Sequence, residues 1–406
     1  MERVTLDPRA GTPATAQPHS GAAAAARPAD ASEVRDAVRD AAARRTPLRL
    51  IGRGTWLDAG RPVARARPLS LDELSGIVEY TPGDLTLTAR AGTMLADIAA
   101  ATAAEGQWLP LEPWGGDAGS LGATIATASA GPMSGAFGTP RDIVLGLEAV
   151  TGAGAVVRGG GRVVKNVAGF DLTRLMVGAW GTLGVLTEIS VRLRALPEHE
   201  LTVAVPLPGA VPLVADVLAR LRAADVAPVA LELVSGTLAR RLGVGAEATL
   251  LARVAGNAEV VAAQREALAR LASIADLPPE VWTSLRVAEP ADVSVVRLSG
   301  PVALFAETWA AAERIAATVD GGFAHASVLR SVARVVLPNE GGALAPATVA
   351  ALRDDTLGRR IFERLPAALW PALAPTPAGD RLSLRVRDAF DPQRVLNPGV
   401  LGEVTT

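Results

Sequence analysis

With 406 residues, 49% of them hydrophobic and 20% charged, and a formal net charge of −2, the chain can fill two or three packed domains but carries no electrostatic footprint for nucleic acid or an anionic membrane face. It has no cysteine, which excludes a disulfide framework, a thiolate metal centre, an iron–sulfur cluster held by this chain and a cysteine nucleophile. A cytosolic setting fits these limits. Residues 1–29 read as a flexible Ala/Pro-rich tail, with no apolar run long enough for a signal peptide. Ser32 is the expected cap of a helix running to about Arg45. Pro47 ends it, and Leu48–Ile51 reads as a strand that runs directly into Gly52-Arg-Gly-Thr-Trp-Leu-Asp-Ala-Gly60.

A strand feeding a glycine turn can aim several N–H groups at a pyrophosphate. Here Leu57 stands where a dinucleotide fingerprint needs its third glycine, so the loop taken alone reads better as an ordinary turn and a nicotinamide nucleotide is disfavoured. Ile77–Tyr80 and Asp84–Ala89 alternate as two strands split by Thr81-Pro-Gly83, and Thr93–Ala104 reads as a helix. Ala118–Pro140 carries no charge, yet its Gly, Ala, Ser and Thr side chains are too small and polar for a transmembrane span. The same run, with Ser120, Thr124, Thr127 and Ser129 offering hydroxyls, suits either a tight Ala/Gly packing seam or a long flat ligand with a diphosphate and ribityl chain. Asp142–Val150 and Ala155–Val157 are expected strands around Thr151-Gly-Ala-Gly154. Asp171 is the expected cap of Leu172–Val177, and Gly181–Leu193 a glycine turn entering a long strand.

These segments together carry a resemblance. Gly52-Arg-Gly-Thr55, Gly119-Ser-Leu-Gly-Ala123, Gly131–Gly138, Arg141-Asp-Ile-Val-Leu-Gly146, Lys165-Asn-Val-Ala-Gly-Phe-Asp171 and Gly181-Thr-Leu-Gly-Val-Leu-Thr187 resemble the PCMH-type FAD-binding fold of the vanillyl-alcohol oxidase superfamily. Within it the chain is most similar to the FAD-binding E-subunit family of bacterial glycolate oxidase, with Phe170 in place of that family's tyrosine. The resemblance covers roughly residues 30–197 and returns in Phe390–Gly399.

It implies an α+β protein: a PCMH-type FAD-binding domain of two α+β subdomains over 30–197, a cap or substrate domain over 198–377, and a return to the FAD domain over 378–406. By the same resemblance Gly52, Arg53, Gly54 and Thr55 wrap the pyrophosphate of FAD, and Gly119, Ser120, Gly122, Ala123 and Thr124 line its diphosphate and ribityl side. Gly131, Gly184, Val185, Leu186 and Asn397 complete the cofactor set. Lys165 and Asn166 either approach flavin N1 and O2 or fix the loop under the ring. Covalent attachment in the superfamily uses a histidine in the first glycine loop or a cysteine; Trp56 stands in that loop, so the FAD is expected to be noncovalent.

Beyond Pro197 the strand and helix patterns run β-α-β-β-α and then through a second round: strands near 201–205, 229–234, 248–254, 292–298, 325–329 and 333–337, with helices over 211–223, 258–272 and 305–318. This order predicts an antiparallel sheet with helices on one side, a ferredoxin-like α+β cap. Oxidation of a 2-hydroxy acid needs a cation for the carboxylate and a base at the carbinol. Of the three histidines, His19 falls in the tail and His199 at the domain junction, leaving His325 as the candidate base, although its strand alone reads better as one holding a histidine satisfied within a sheet. Arg330 and Arg334 are the candidate carboxylate partners and Lys165 the further catalytic candidate. The histidine-rich metal motif of related D-2-hydroxy-acid dehydrogenases has no counterpart here, so no metal site is assigned.

The resemblance therefore implies an FAD-dependent oxidoreductase subunit oxidising glycolate or a related 2-hydroxy acid, with hydride passing to flavin N5. A second flavin subunit and an iron–sulfur subunit are the implied partners, and the implied location is cytoplasmic or peripheral to the inner membrane face through those partners. The alternative is a noncatalytic FAD-binding accessory or assembly subunit of such a complex.

Overall fold

The computed structural model describes residues 25–63, 65–161, 171–207, 211–224, 226–354, 359–374 and 380–402. Its first part opens with helix α1 (Ala31–Arg44) and the parallel pair β1 (Leu48–Ile51) and β2 (Arg67–Ser70). Then follow β3 (Ile77–Thr81), β4 (Thr86–Arg90), α2 (Leu95–Ala103), β5 (Gln107–Trp108), α3 (Leu121–Thr127), α4 (Ser134–Phe137) and α5 (Pro140–Ile143). β6 (Val144–Thr151), β7 (Val156–Gly160), α6 (Leu172–Met176), β8 (Gly184–Arg192) and β9 (Arg194–Ala195) complete it. A five-stranded antiparallel sheet in the order β3-β4-β8-β6-β7 forms its spine. Leu186 and Ile189 on one face of β8 join the core under α2 and α3, whereas Val185 on the other face packs with Val34 and Val38 of α1. Two subdomains thus share one strand, each face burying its own apolar set.

Local chemistry corrects two expectations here. The cap of α1 is Asp30, whose carboxylate accepts the Glu33 N–H at 2.9 Å, not Ser32. Asp142 does not open a strand: it sits in α5, where its carboxylate accepts the Thr139 N–H at 2.8 Å in a reciprocal cap. Asp171 caps α6 as its sequence suggests, accepting from Arg174 N at 2.9 Å.

The second part comprises β10 (His199–Pro206), α7 (Val211–Ala223), β11 (Ala230–Val234), α8 (Gly236–Leu242), β12 (Thr249–Gly256), α9 (Ala258–Leu271), β13 (Ala275–Leu277) and α10 (Glu280–Arg286). It continues through β14 (Val293–Ser299), α11 (Phe305–Ala316), β15 (Phe323–Ser327), β16 (Val332–Pro338), α12 (Pro346–Leu352), β17 (Arg359–Arg364) and α13 (Trp370–Leu373). The eight strands order as β13-β10-β12-β11-β15-β16-β14-β17, all antiparallel. In chain order each half reads fourth-first-third-second, so two ferredoxin-like units meet edge to edge at β11 and β15.

Helices α7, α9 and α11 cover one face, where Phe305 and Trp309 are almost wholly buried. The expectation of helices on one side only is corrected: α8 and α10 lie on the opposite face with Leu238, Trp282 and Leu285, and Trp114 and Met133 of the first part join that cluster. β11 and β15 are consequently buried on both faces at every residue. β15 also begins two residues earlier than its sequence suggests, at Phe323. The chain closes with α14 (Arg381–Phe390), which returns Val386 and Phe390 to the core of the first part, while Val395 and Leu396 pack beside α1. Among the described residues no helix is long and apolar enough to cross a membrane.

Candidate functional site

Two glycine segments remote in sequence meet at the end of β1. A Cβ at Gly52 would collide with Ser120 Oγ and come within 3.0 Å of the Ala123 Cβ, and one at Gly119 would lie 3.5 Å from Thr55 Oγ1. Gly52–Thr55 therefore lies against the small side chains at the start of α3, a close glycine-lined cradle in which a larger side chain has no room. Gly54 has φ +76°, a conformation that favours glycine. Arg53 braces the loop by donating Nε–H to the Gly92 carbonyl at 3.0 Å. Gly122 donates its N–H to the Ala91 carbonyl at 2.7 Å, and Gly131 packs on the Glu112 carbonyl so closely that a Cβ has no room.

The hydroxyls of this segment divide. Thr124 and Thr127 donate to the Ser120 and Ala123 carbonyls at 3.0 and 2.8 Å, and Ser120 Oγ accepts from Ala123 N at 3.3 Å, so these three serve α3 itself. Ser129 Oγ alone is buried without a partner. Gly184, Val185 and Leu186 form the start of β8, beyond the last β4 pairing at Arg90 and Glu188. Asn397 accepts from Leu50 N and donates to the Trp180 carbonyl, both at 2.8 Å, tying β1 to the turn before β8. Lys165 and Asn166 lie outside the described residues.

Next to the cradle is a pocket between the two parts of the chain. Trp56, Trp114, Ser129, Gly131 and Ser134 line it from the first part; Arg297, His325, Ser327, Arg330, Arg334 and Glu363 line it from the eight-stranded sheet. Strand alternation explains the second set, because His325 pairs with Arg334, and Arg334 with Arg297, in register across β15, β16 and β14. Seven buried polar atoms without a hydrogen-bond partner lie at or directly behind this pocket, with others elsewhere in the described residues: Trp56 Nε1, Ser129 Oγ, Ser327 Oγ, both His325 nitrogens and both Glu232 carboxylate oxygens. Orphaned groups this dense are uncommon in a folded core and mark a surface shaped to meet a ligand.

The charges are unequally paired. Arg334 donates Nε–H and Nη2–H to Glu289 Oε1 at 2.9 and 2.7 Å and binds Glu363 through Nη1. Burial opposes its charge, but Glu289 and Glu363 outweigh burial and raise its pKa. Arg334 is therefore not open to a ligand carboxylate, which corrects its candidacy. Arg297 lies 3.4 Å from Glu363 Oε1. Arg330 instead donates to the neutral Ser134 Oγ at 3.2 Å, and its pKa is lowered by burial first and by the Arg297 charge second. His325 is held below its ordinary value by burial above all, with Glu232 pulling upward and Arg334 downward. Glu232, 0% exposed, is pushed up by burial, against the pull of His325 and Ser327.

Glu232 escaped notice in the sequence, where Ala-Leu-Glu-Leu-Val reads as an apolar strand. The available signal was a lone carboxylate in a run otherwise built to be buried. Trp114, Arg297 and Glu363 carried no comparable mark.

Residues 22–160 match the family described as FAD binding domain. The chain is 45% identical over 168 residues to glycolate oxidase subunit GlcE of Escherichia coli (strain K12), spanning 41% of this chain and 48% of that protein. The chain is a flavoprotein with a PCMH-type FAD-binding domain. It is also 36% identical over 159 residues to glycolate oxidase subunit GlcD of Bacillus subtilis (strain 168), covering 39% of this chain and 34% of the relative. A D-lactate dehydrogenase of Archaeoglobus fulgidus is 31% identical over 180 residues, 44% of this chain and 40% of that enzyme. The matched stretches thus span less than half of these relatives.

Over nearly the whole chain the fold is that of p-cresol methylhydroxylase (TM-score 0.72, 14% identity, 93% of this chain and 88% of that one). Alkyldihydroxyacetonephosphate synthase shares it as well (TM-score 0.65, 16% identity, 92% and 75%). The flavin domain and the two-unit antiparallel cap are therefore one architecture, and the glycine cradle with its adjoining orphaned polar groups fits FAD.

Proposed function

We propose that this flavoprotein is a subunit that oxidises glycolate or a related small 2-hydroxy acid, with its substrate site in the pocket of His325 and Arg330. The carrying observation is the charge pairing: Arg330 makes no ion pair among the described residues, while the neighbouring Arg334 and Arg297 already have carboxylates. One free guanidinium suits one substrate carboxylate. Trp56 and Trp114 supply the apolar part of the pocket wall beside these charges. His325, kept neutral by burial, is the group able to take the carbinol hydroxyl proton.

In this reading Gly52–Thr55 and Gly119–Ala123 hold the pyrophosphate and ribityl chain through backbone N–H groups, Gly131 and Ser129 border the ring, and the start of β8 presents backbone to it. Asn397 acts from behind, fixing β1 and the Trp180 turn. Bound FAD supplies a two-electron acceptor for the substrate hydride. Trp56 stands in the first loop and the chain has no cysteine, so the cofactor is held without a covalent bond. The similarity to GlcE supports a place in a multi-subunit complex, with a second flavin subunit and a cysteine-bearing iron–sulfur subunit receiving the electrons.

The test begins with the purified protein, which should be yellow and release free FAD on heat or acid. Anaerobic glycolate or D-lactate should then bleach the flavin. Bleaching by neither, alone or with the partner subunits, contradicts the oxidoreductase reading and leaves the accessory role.

A further inference from the structure

Glu232 sits at the centre of the eight-stranded sheet with no hydrogen-bond donor on either oxygen, and its carboxylate lies 3.5 Å from His325 Nδ1. An unsatisfied buried carboxylate weakens a fold, and an apolar residue would serve the strand better. The register explains how the two side chains meet. Glu232 pairs across β11 and β15 with Ser327, and Val234 pairs with His325, which makes Glu232 and His325 diagonal neighbours on one face. On its other side the imidazole is held by Trp114, whose ring centroid lies 4.4 Å away at a tilt of 56°. Both nitrogens of His325 lack partners within the protein, so one is free for Glu232 and the other for the pocket.

We propose that Glu232 is the positioning residue for His325: its carboxylate faces Nδ1–H as an acceptor and so holds the proton on Nδ1, which leaves Nε2 with a lone pair turned to the pocket. This rests on the hydroxy-acid reading above. On oxidation, the hydroxyl proton of the substrate passes to Nε2 while the carbon-bound hydrogen leaves with both electrons for the bound flavin, and the C–O single bond becomes a carbonyl. Glu232 then faces an imidazolium and offsets its charge. The charged groups on the elements around His325 are Glu232 of β11, Arg334 of β16, Arg297 of β14, Glu363 of β17 and Arg330 between β15 and β16. Arg334 and Arg297 are engaged with Glu363 and Glu289, so Glu232 is the anion left for His325.

The test reads the imidazole directly. The chain has only His19, His199 and His325, so nitrogen-15 histidine spectra of the FAD-loaded protein are simple, and loss of one set of signals in His325→Gln assigns the residue. Wild type should show the Nδ1-protonated tautomer. Glu232→Gln should lower the His325 pKa further, because an upward influence is lost, and Glu232→Leu, which removes an orphaned carboxylate and should fold at least as firmly, should abolish the tautomer preference. Unchanged tautomer and titration in both variants overturn the proposal. If the shifts appear but no hydroxy acid bleaches the flavin, the pair stands and the substrate reading falls; bleaching with unshifted His325 signals gives the reverse.

Discussion

Arg330 and Arg334 stand four residues apart at the β15–β16 hairpin yet do opposite work. Arg334 is 3% exposed and engages two carboxylates, so Arg334→Met leaves Glu289 to Arg364 at 3.7 Å and Glu363 to Arg297 at 3.4 Å and should cost roughly 1–3 kcal/mol of stability, read by thermal denaturation. Arg330→Met breaks no ion pair. It should leave the melting temperature nearly unchanged and raise the substrate concentration needed for flavin reduction roughly 10–100-fold, the loss of about 1.5–3 kcal/mol of charged hydrogen bonding. The pH dependence follows from His325. Its folded pKa is below the ordinary 6.5 because burial disfavours the cation, so the neutral base persists below pH 6.5 and rates fall only as pH drops through the lower value. Glu232→Gln removes an upward influence and should move that acid limb lower still. The sequence singled out His325 and Arg330, but it ranked Arg334 beside Arg330. Which guanidinium is spoken for depends on Glu289 and Glu363, 45 and 29 positions away, a pairing only the sheet creates.

At the scale of elements, the glycine loops were legible because backbone proximity excludes side chains and leaves a compositional trace. Gly52-Arg-Gly-Thr55 and Gly119–Ala123 meet in space, a juxtaposition that the family resemblance implied and composition alone did not, whereas the hydroxyls of Thr124 and Thr127 serve the helix that carries them. Gly52→Ala forces a methyl against Ser120 Oγ. It should cut the FAD content of the purified protein severalfold at little cost to far-ultraviolet circular dichroism, since only the meeting point of loop and α3 shifts. Helices α8 and α10 went unforeseen. Their short sequences carry few apolar residues, and what makes them helical is burial of Leu238, Trp282 and Leu285 on the second sheet face.

For the whole molecule, the site lies where three bodies meet: the flavin domain and the two ferredoxin-like units, whose edge strands β11 and β15 supply Glu232, His325 and Ser327. The cap is held on the flavin domain by Arg253, paired with Glu112 at 2.9 Å and Glu200 at 2.7 Å. Arg286 adds to this, donating to the Pro113 carbonyl at 3.0 Å and binding Asp117. Arg286→Ala should cost about 1–3 kcal/mol and loosen flavin retention together with thermal stability, because a buried carbonyl loses its donor. The alternating strands and helices of the cap were readable from their patterns and turns, but the edge-to-edge union of its two units was not, since it depends on pairing between strands about ninety residues apart.

In the proposed function the flavin ring lies against the pocket of His325 and Arg330. A crystal structure of the FAD-loaded protein is the decisive measurement: it should show the pyrophosphate between Gly52–Thr55 and Gly119–Ala123 and the reactive face of the ring opening onto His325, with Arg330 free for a carboxylate. A ring seated elsewhere, or walled off from His325 by protein, would contradict this placement.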